Sequence, residues 1–204
     1  MGVAGCSSRT HSGTTQLRGV SALRTAPTLN LSFVSRHTMI NPLVKLVPVT
    51  MQHKLALTSS KAKLQEMLGV EIPDHWPQFP EAFEVRAEDT GASELWPSYF
   101  FVCPSESVLV GNGGFAAPPN NAGEVEIGYE IAPAYQNKGY GTAAAGALSE
   151  LAFSRPTVNA IVAHTLAQEN ASNAVLRKIG MSMVAELPNP EVGKVWKWSV
   201  RRAT

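Results

Sequence analysis

The sequence has few cysteines, few charged residues and no long apolar run. Cys6 and Cys103 are its only cysteines and lie far apart, so no disulfide framework and no zinc-binding Cys/His spacing is present. We expect no bound metal and a reducing compartment, the cytoplasm. Charged residues make up 16% of the chain and the net charge is +1, which gives no electrostatic reason to expect nucleic acid as a partner. No apolar run approaches the length that crosses a bilayer, so we expect no membrane partner.

The first 38 residues differ in composition from the rest of the chain. They contain no Asp or Glu, four arginines, and many Ser, Thr, Gly and Ala residues. This composition fits an organellar transit peptide, and it also fits an upstream extension translated from a mis-called start that precedes Met39. We predict that residues 1–38 are an unstructured extension and that residues 39–204 form one domain, since 44% hydrophobic residues suffice for a single core.

Residues 124–153 are organised as a strand that runs directly into a helix. Val125, Ile127, Tyr129 and Ile131 alternate with Glu126, Gly128 and Glu130, which predicts a half-buried strand with carboxylates on its open face. From Tyr140 the apolar residues recur at helical spacing. Two glycines at residues 139 and 141 remove side-chain bulk from the first helical turn, whose free N–H groups and dipole favour an anion.

Two ordered motifs resemble those of the GNAT superfamily of N-acetyltransferases. Residues 136–141 read Gln-x-x-Gly-x-Gly after a strand that ends in Ile-Ala-Pro, which is similar to the acetyl-CoA-binding signature. Residues 162–181 resemble the second cofactor segment, a strand end followed by an Asn/Ser loop and a short helix that ends at Gly. The resemblance covers roughly residues 41–200 and is strongest to the branch with the ribosomal-protein N-terminal acetyltransferases. Met39 also matches the family's usual N-terminus.

The resemblance implies an α+β GNAT fold, with a central mixed, mostly antiparallel sheet of about six to seven strands and about four flanking helices. It implies an acetyl-CoA-dependent N-acetyltransferase in which an amine attacks the thioester directly in a ternary complex. The acceptor partner would be a protein N-terminus or a small molecule, and the protein would be a monomer or homodimer. The alternative is a catalytically weak acyl-CoA-binding or interaction protein on the same fold.

The resemblance also implies the residues that bind acetyl-CoA. The phosphates would be held by the backbone of the signature, and the pantetheine arm would pair with the strand backbone near Glu130. Asn170 would contact the pantetheine arm. Ser172 is one residue closer to Asn170 than in the commoner family pattern Asn-x-x-Ser, which leaves this role open between Asn170 and Ser172. The candidate cofactor-binding residues are Ile131, Ala132, Gln136, Asn137, Lys138, Gly139, Tyr140, Gly141, Thr142 and Asn170. Lys138 is either a phosphate contact or a solvated lysine.

Glu126 is the candidate general base, because an ammonium ion must lose a proton before it attacks and family members often carry a glutamate at this position. Glu130, on the same strand face, is the second choice. The family's usual tyrosine acid is missing from the second segment, so Ser172, a water molecule or no acid at all would serve the leaving thiolate. His164 is either structural or catalytic.

The remaining segments predict three further features. Residues 98–103 and 108–115 form a hairpin, residues 51–69 form one broken helix or two short ones that end at Gly69, and residues 157–164 form a strand. Trp76 and Phe79, in a proline-rich loop, either cover the core edge or line the acceptor pocket. Gly139, Gly141 and Ala144 also satisfy a dinucleotide fingerprint, but the acidic alternation of the preceding strand argues against a buried parallel strand there.

Overall fold

The computed structural model of the protein describes residues 43–84 and 95–203. The predicted extension over residues 1–38 lies outside this range. The elements, in chain order, are β1 (Lys45–Pro48), α1 (Met51–Ser59), α2 (Lys61–Leu68), a 3-10 helix (Pro80–Phe83), β2 (Ser98–Cys103), β3 (Val108–Phe115), β4 (Glu124–Ile131), a 3-10 helix (Pro133–Tyr135), α3 (Tyr140–Phe153), β5 (Ala160–Leu166), α4 (Ala171–Lys178), β6 (Ser182–Asn189) and β7 (Gly193–Arg201). Within these residues no helix has the length and hydropathy to span a membrane.

The seven strands form one mixed sheet in the order β1-β2-β3-β4-β5-β7-β6. Every neighbouring pair is antiparallel except β4 and β5, which are joined by the α3 crossover and run parallel. The predicted mixed, mostly antiparallel α+β fold is confirmed. The predicted hairpin has the expected bounds, whereas β5 begins at Ala160 because the N–H of Val158 bonds to the Arg155 carbonyl in a turn after α3.

Residues 51–69 form two short helices. Ser60 ends α1 and also begins α2, where its side chain accepts a hydrogen bond from the Lys63 N–H. Gly69 ends α2 with a left-handed φ of 65°, a conformation that glycine adopts without strain. The sequence prediction of a broken helix ending at Gly69 is therefore confirmed in its two-helix form.

The sheet is covered on both faces, and each face has its own core. Phe101, Ile127 and Leu148 belong to the core under α3 and α4, which is the larger of the two. Phe100, from the alternate face of β2, joins Trp76 in the core under α1 and α2. Consecutive strand residues therefore supply opposite cores, as the period of two requires.

β4 and β5 diverge in the middle of the sheet. Their parallel pairing extends only from Glu124 opposite Ala160 to Glu126 opposite Val162. Beyond that point β4 continues to Ile131 paired with β3 alone, and β5 continues paired with β7 alone. The sheet therefore opens on the carboxyl-terminal side of Glu126, and α3 begins beyond the end of the opened strand.

The expectation of an open carboxylate face on β4 is wrong at Glu130. The Glu126 side chain is 41% exposed, but Glu130 is only 8% exposed. The loop before the first 3-10 helix folds over Glu130, and the N–H of Gln78 donates to its Oε2 at 3.2 Å. A contact across 52 residues of sequence, which strand periodicity does not contain, buries this carboxylate.

Candidate functional site

The N-terminus of α3 presents backbone N–H groups to the opened part of the sheet. Gly139 precedes the helix with φ 87°, and Asn137 also has a left-handed φ of 59°. The first backbone bond of the helix runs from the Ala143 N–H to the Gly139 carbonyl at 3.0 Å. The N–H groups of the first turn consequently have no partner within the helix, and together with the helix dipole they favour an anion at this position.

A cavity of about 460 Å³ lies between this turn, the end of β4 and α4. Six of the predicted cofactor residues line it: Ile131, Gln136, Asn137, Gly139, Gly141 and Thr142. The Gln136 side-chain amide donates to the Ile131 carbonyl at 3.0 Å and so ties the loop to the end of β4. The cavity therefore combines the end of β4 with the N-terminal turn of α3.

Three other predicted cofactor residues direct their side chains elsewhere. Ala132 is fully buried in the core under α1 and α2. The Tyr140 hydroxyl donates to Glu106 at 2.9 Å, so its ring anchors the start of α3 instead of facing the cavity. Lys138 holds its ammonium 5.2 Å from the centre of the Tyr135 ring, outside the cavity lining. Ala132 and Tyr140 therefore offer a ligand only their backbone groups, whereas the exposed Lys138 side chain stays open between a phosphate contact and a solvated lysine.

The structure separates Asn170 from Ser172. Asn170 precedes α4, and its Oδ1 accepts from the Asn173 N–H at 3.1 Å, which is a helix-capping contact. Ser172 instead lines the cavity. Of the two residues between which the pantetheine contact was left open, Ser172 is the one that faces the cavity.

Tyr129 is a further polar group at this cavity. Its hydroxyl is buried beside the Ser172 hydroxyl, and no hydrogen bond of ordinary geometry is formed to it among the described residues. Burial raises the pKa of Tyr129 to about 12, and the Ser172 hydroxyl offsets part of that rise. The Tyr129 side chain is therefore a neutral phenol that can donate a hydrogen bond at the cavity.

A second cavity, of about 290 Å³, lies on the α1 and α2 side of β4. Glu126, Gly128 and Glu130 line it from β4, and Asn112 lines it from β3. Glu126 Oε1 lies 2.7 Å from Nδ1 of His164, on β5. Sequence reasoning left His164 open between two roles, and the structure brings it into contact with the predicted base.

Glu130 has one satisfied and one unsatisfied carboxylate oxygen. Oε2 accepts from the Gln78 N–H, whereas Oε1 is buried without a hydrogen-bond partner among the described residues. Burial raises the pKa of the Glu130 carboxyl above its ordinary value, the backbone N–H groups of Gln78 and Phe79 offset part of the rise, and the nearby Glu81 charge adds to it. The ionised form of Glu130 is thus destabilised until a donor or a cation reaches Oε1.

The two cavities meet at three residues. Phe79, Tyr129 and Glu130 line both of them. Trp76, the other aromatic residue of the proline-rich loop, is fully buried, and its indole N–H donates to Asn112 at 2.6 Å. Of the two interpretations of that loop, core cover therefore applies to Trp76 and pocket lining applies to Phe79.

Sequence reasoning named only Ser172 from α4, although four more residues of this helix contribute to the cavity. Ala171, Ala174, Val175 and Lys178 all line the first cavity. Their spacing of three, four and seven residues places them on one helical face, a signal that was present in the sequence. Lys178 adds an ammonium group to a cavity that is also lined by the first turn of α3.

Comparison with known proteins agrees with this architecture. A family model described as an acetyltransferase (GNAT) domain matches residues 45–182. The chain is also 32% identical over 119 residues to an uncharacterized N-acetyltransferase of Bacillus subtilis (strain 168), YjdG. That alignment covers 55% of this chain and 70% of the Bacillus protein.

Two solved structures share the fold. One is an acetyltransferase from Salmonella typhimurium that modifies the N-terminal serine of the 50S ribosomal subunit protein L7/L12, with a TM-score of 0.58, 15% identity, and coverage of 79% of this chain and 96% of that chain. The other is RimL, a ribosomal L7/L12 alpha-N-protein acetyltransferase in complex with coenzyme A, with a TM-score of 0.57, 21% identity, and coverage of 78% and 94%.

Proposed function

Since the chain belongs to the GNAT family of acetyltransferases, we propose that it transfers the acetyl group of acetyl-CoA to the primary amine of a protein N-terminus or a small molecule. The amine would attack the thioester directly, with both substrates bound at once. The observation that carries this proposal is the pair of cavities that meet at Tyr129 and Glu130. The cavity between β4, α3 and α4 suits acetyl-CoA. The cavity on the α1 and α2 side of β4 contains Glu126 and Glu130, carboxylates that can bind an ammonium group and accept its proton.

The first cavity fits acetyl-CoA in chemistry. The N–H groups at the start of α3 and the Lys178 ammonium would hold the phosphates. The amide-rich pantetheine arm would lie along β4 between Glu126 and Ile131, where β4 has parted from β5. When bound, acetyl-CoA supplies an activated acyl group and a thiol leaving group.

Glu126 is the proposed base for the acceptor amine. It is the last β4 residue paired with β5, so its carboxylate lies where the sheet begins to open. It also lines the second cavity, on the α1 and α2 side of β4, which is the proposed acceptor-side cavity. When His164 Nδ1 carries its hydrogen and donates to Glu126, Nε2 is left as an acceptor. The pair can then take the ammonium proton directly or through water.

Ser172 and Tyr129 are proposed to serve the leaving sulfur. Both hydroxyls face the cofactor side of β4, and the Tyr129 hydroxyl has no other partner among the described residues. A phenol with a pKa of about 12 keeps its proton beside a thiolate, whose ordinary pKa is about 8.5. Tyr129 would therefore stabilise the thiolate as a hydrogen-bond donor and would not become a phenolate.

A direct test measures free thiol release from acetyl-CoA with a panel of amines. We expect thiol release that depends on the amine, together with acetylated product detected by mass spectrometry. Acetyl-CoA should also raise the melting temperature, whereas NADH should not. Tight binding of acetyl-CoA without turnover on any amine would instead support the binding-protein alternative.

A further inference from the structure

Two carboxylates line the acceptor-side cavity, whereas one carboxylate is enough to accept the proton of a single amine. Glu126 and Glu130 are the only charged side chains that line it among the described residues. Both lie on one face of β4, four residues apart, which is roughly 13 Å along a strand at ~3.3 Å per residue. The two carboxylates therefore lie toward opposite ends of the same cavity.

The two carboxylates differ in how their charge is compensated. Glu126 has an imidazole as its partner, with His164 Nδ1 at 2.7 Å. The backbone N–H groups of Gln78 and Phe79 both stabilise the Glu130 carboxylate, and its buried oxygen Oε1 has no hydrogen-bond partner among the described residues. A buried carboxylate without a countercharge is costly, and a charged donor would remove that cost. Since no cationic side chain among the described residues lines this cavity, a cationic ligand is the source that we consider.

The space between the two carboxylates is open. Gly128 lies between them, and a Cβ added at this position would meet no atom within 4 Å. A chain that joins two nitrogen atoms can thus lie across Gly128 without displacing a side chain. Phe79, which is 55% exposed, supplies an apolar wall for the methylene groups of such a chain.

From these observations we infer that the acceptor is a primary amine with a second cationic group a short chain away, and that Glu130 selects it by binding that second cation. This inference rests on the proposed acetyl transfer and names its substrate class. Either a diamine or a peptide whose second residue is basic has this chemistry. The amine that reacts lies at Glu126 and is neutral when it attacks, whereas the second cation keeps its charge.

The first experiment compares acceptors of matched length. Hexamethylenediamine is compared with hexylamine, and a peptide that begins Ala-Lys with one that begins Ala-Gln. A hydrogen bond to a charged group predicts a preference of about 10- to 100-fold in kcat/KM for the dication. Whichever pair shows the preference identifies the source, diamine or peptide. Equal rates within both pairs would overturn the inference and leave the acetyl transfer intact.

The second experiment uses Glu130→Gln with Glu124→Gln as its matched control. Glu124 shares the strand and the face but lies outside the cavity and pairs with Lys197. We expect Glu130→Gln to reduce the dication-to-monocation ratio to near one, and Glu124→Gln to preserve it. An equal loss of rate on both acceptors in Glu130→Gln would overturn the inference, because the carboxylate would then be acting on the reacting amine.

A binding measurement tests the same contact without turnover. With coenzyme A bound, titration calorimetry should show that hexamethylenediamine binds the wild type about tenfold or more tightly than hexylamine, and that Glu130→Gln abolishes the difference. If Glu130→Gln weakens coenzyme A instead, Oε1 serves the pantetheine arm and the inference fails. This readout remains decisive even if no amine in the panel is acetylated, an outcome that would refute the proposed transfer alone.

Discussion

The anion site at the start of α3 can be tested with two substitutions of the same shape. Gly139→Asp and Gly139→Asn place nearly identical side chains at the residue that precedes the helix. Gly139 has φ 87°, and the nearest atom to an added Cβ, Leu43 Cδ1, is 3.9 Å away. Both variants therefore carry the same backbone strain, of about 1–2 kcal/mol, and no steric clash. They differ by one negative charge.

The charge has opposite effects on stability and on cofactor binding. Without ligand, a carboxylate at a helix N-terminus stabilises by about 0.3–1 kcal/mol, so Gly139→Asp should melt slightly above Gly139→Asn. A phosphate ~6 Å from that carboxylate would be repelled by ~0.7 kcal/mol in water and by ~2.8 kcal/mol at an effective dielectric constant of 20. We expect acetyl-CoA to bind Gly139→Asp about 3- to 100-fold more weakly than Gly139→Asn.

Calorimetric titration of both variants measures this ratio. The ratio should shrink toward one at ~1 M salt, where the Debye length falls to about 3 Å. Acetyl-pantetheine, which lacks the pyrophosphate, should bind the two variants equally. Equal acetyl-CoA affinities at low salt would refute the reasoning and would place the phosphates away from the α3 N-terminus.

Four other substitutions or truncations test separate parts of the structure. Glu126→Gln should leave acetyl-CoA affinity unchanged and slow acetyl transfer by about 10²–10⁴-fold at neutral pH. The rate of this variant should recover as rising pH deprotonates the amine. A rate of the variant that does not change with pH would exclude Glu126 as the base. Burial raises the Glu130 pKa, so the native state holds a proton that the unfolded state releases, and stability falls as pH rises from 4.5 through the raised pKa. Glu130→Gln should therefore raise the melting temperature at pH 8 but not below pH 4, and the opposite pattern would contradict the burial argument. Tyr140→Phe removes the 2.9 Å bond to Glu106 and should cost about 1–3 kcal/mol in denaturant unfolding, and an unchanged midpoint would mean that the bond adds nothing to stability. A chain that begins at Met39 should keep the melting temperature and the cofactor affinity of the full chain, because the removed segment has no hydrophobic periodicity.

Local sequence patterns predict the elements that lie around the cofactor cavity. The change of period between Ile131 and Tyr140 correctly indicates a strand followed by a helix, because both periodicities are read within a few residues. The glycine at residue 139 indicates the left-handed turn for the same reason. Tyr140 shows the limit of this reading, since its hydroxyl partner, Glu106, is 34 residues away in sequence.

The acceptor side could be predicted only in part. Strand alternation places Glu126 and Glu130 on one face, but it contains no information on the loop that buries Glu130. Contact between Glu126 and His164 depends on the parallel register of β4 with β5, and therefore on the crossover through α3. Both features arise from tertiary contacts over more than 35 residues, a range beyond any periodicity.

The parallel pairing between β4 and β5 is short, and this affects how easily the two halves of the sheet exchange their amide protons with solvent. Among the described residues, the pairs from Glu124–Ala160 to Glu126–Val162 join the two halves of the sheet, and the Gly123 carbonyl just before β4 also accepts from the N–H groups of Asn159 and Ala160. Amide protons of β4 beyond Glu126 that point toward β5 should exchange with solvent faster than those that bond to β3. A pantetheine arm in this gap would act as an additional strand. Coenzyme A should therefore slow amide exchange selectively along the edges of β4 and β5 that face the gap. The bound ligand would then stabilise the contact between the two half-sheets. This stabilisation free energy grows with the ligand concentration relative to Kd.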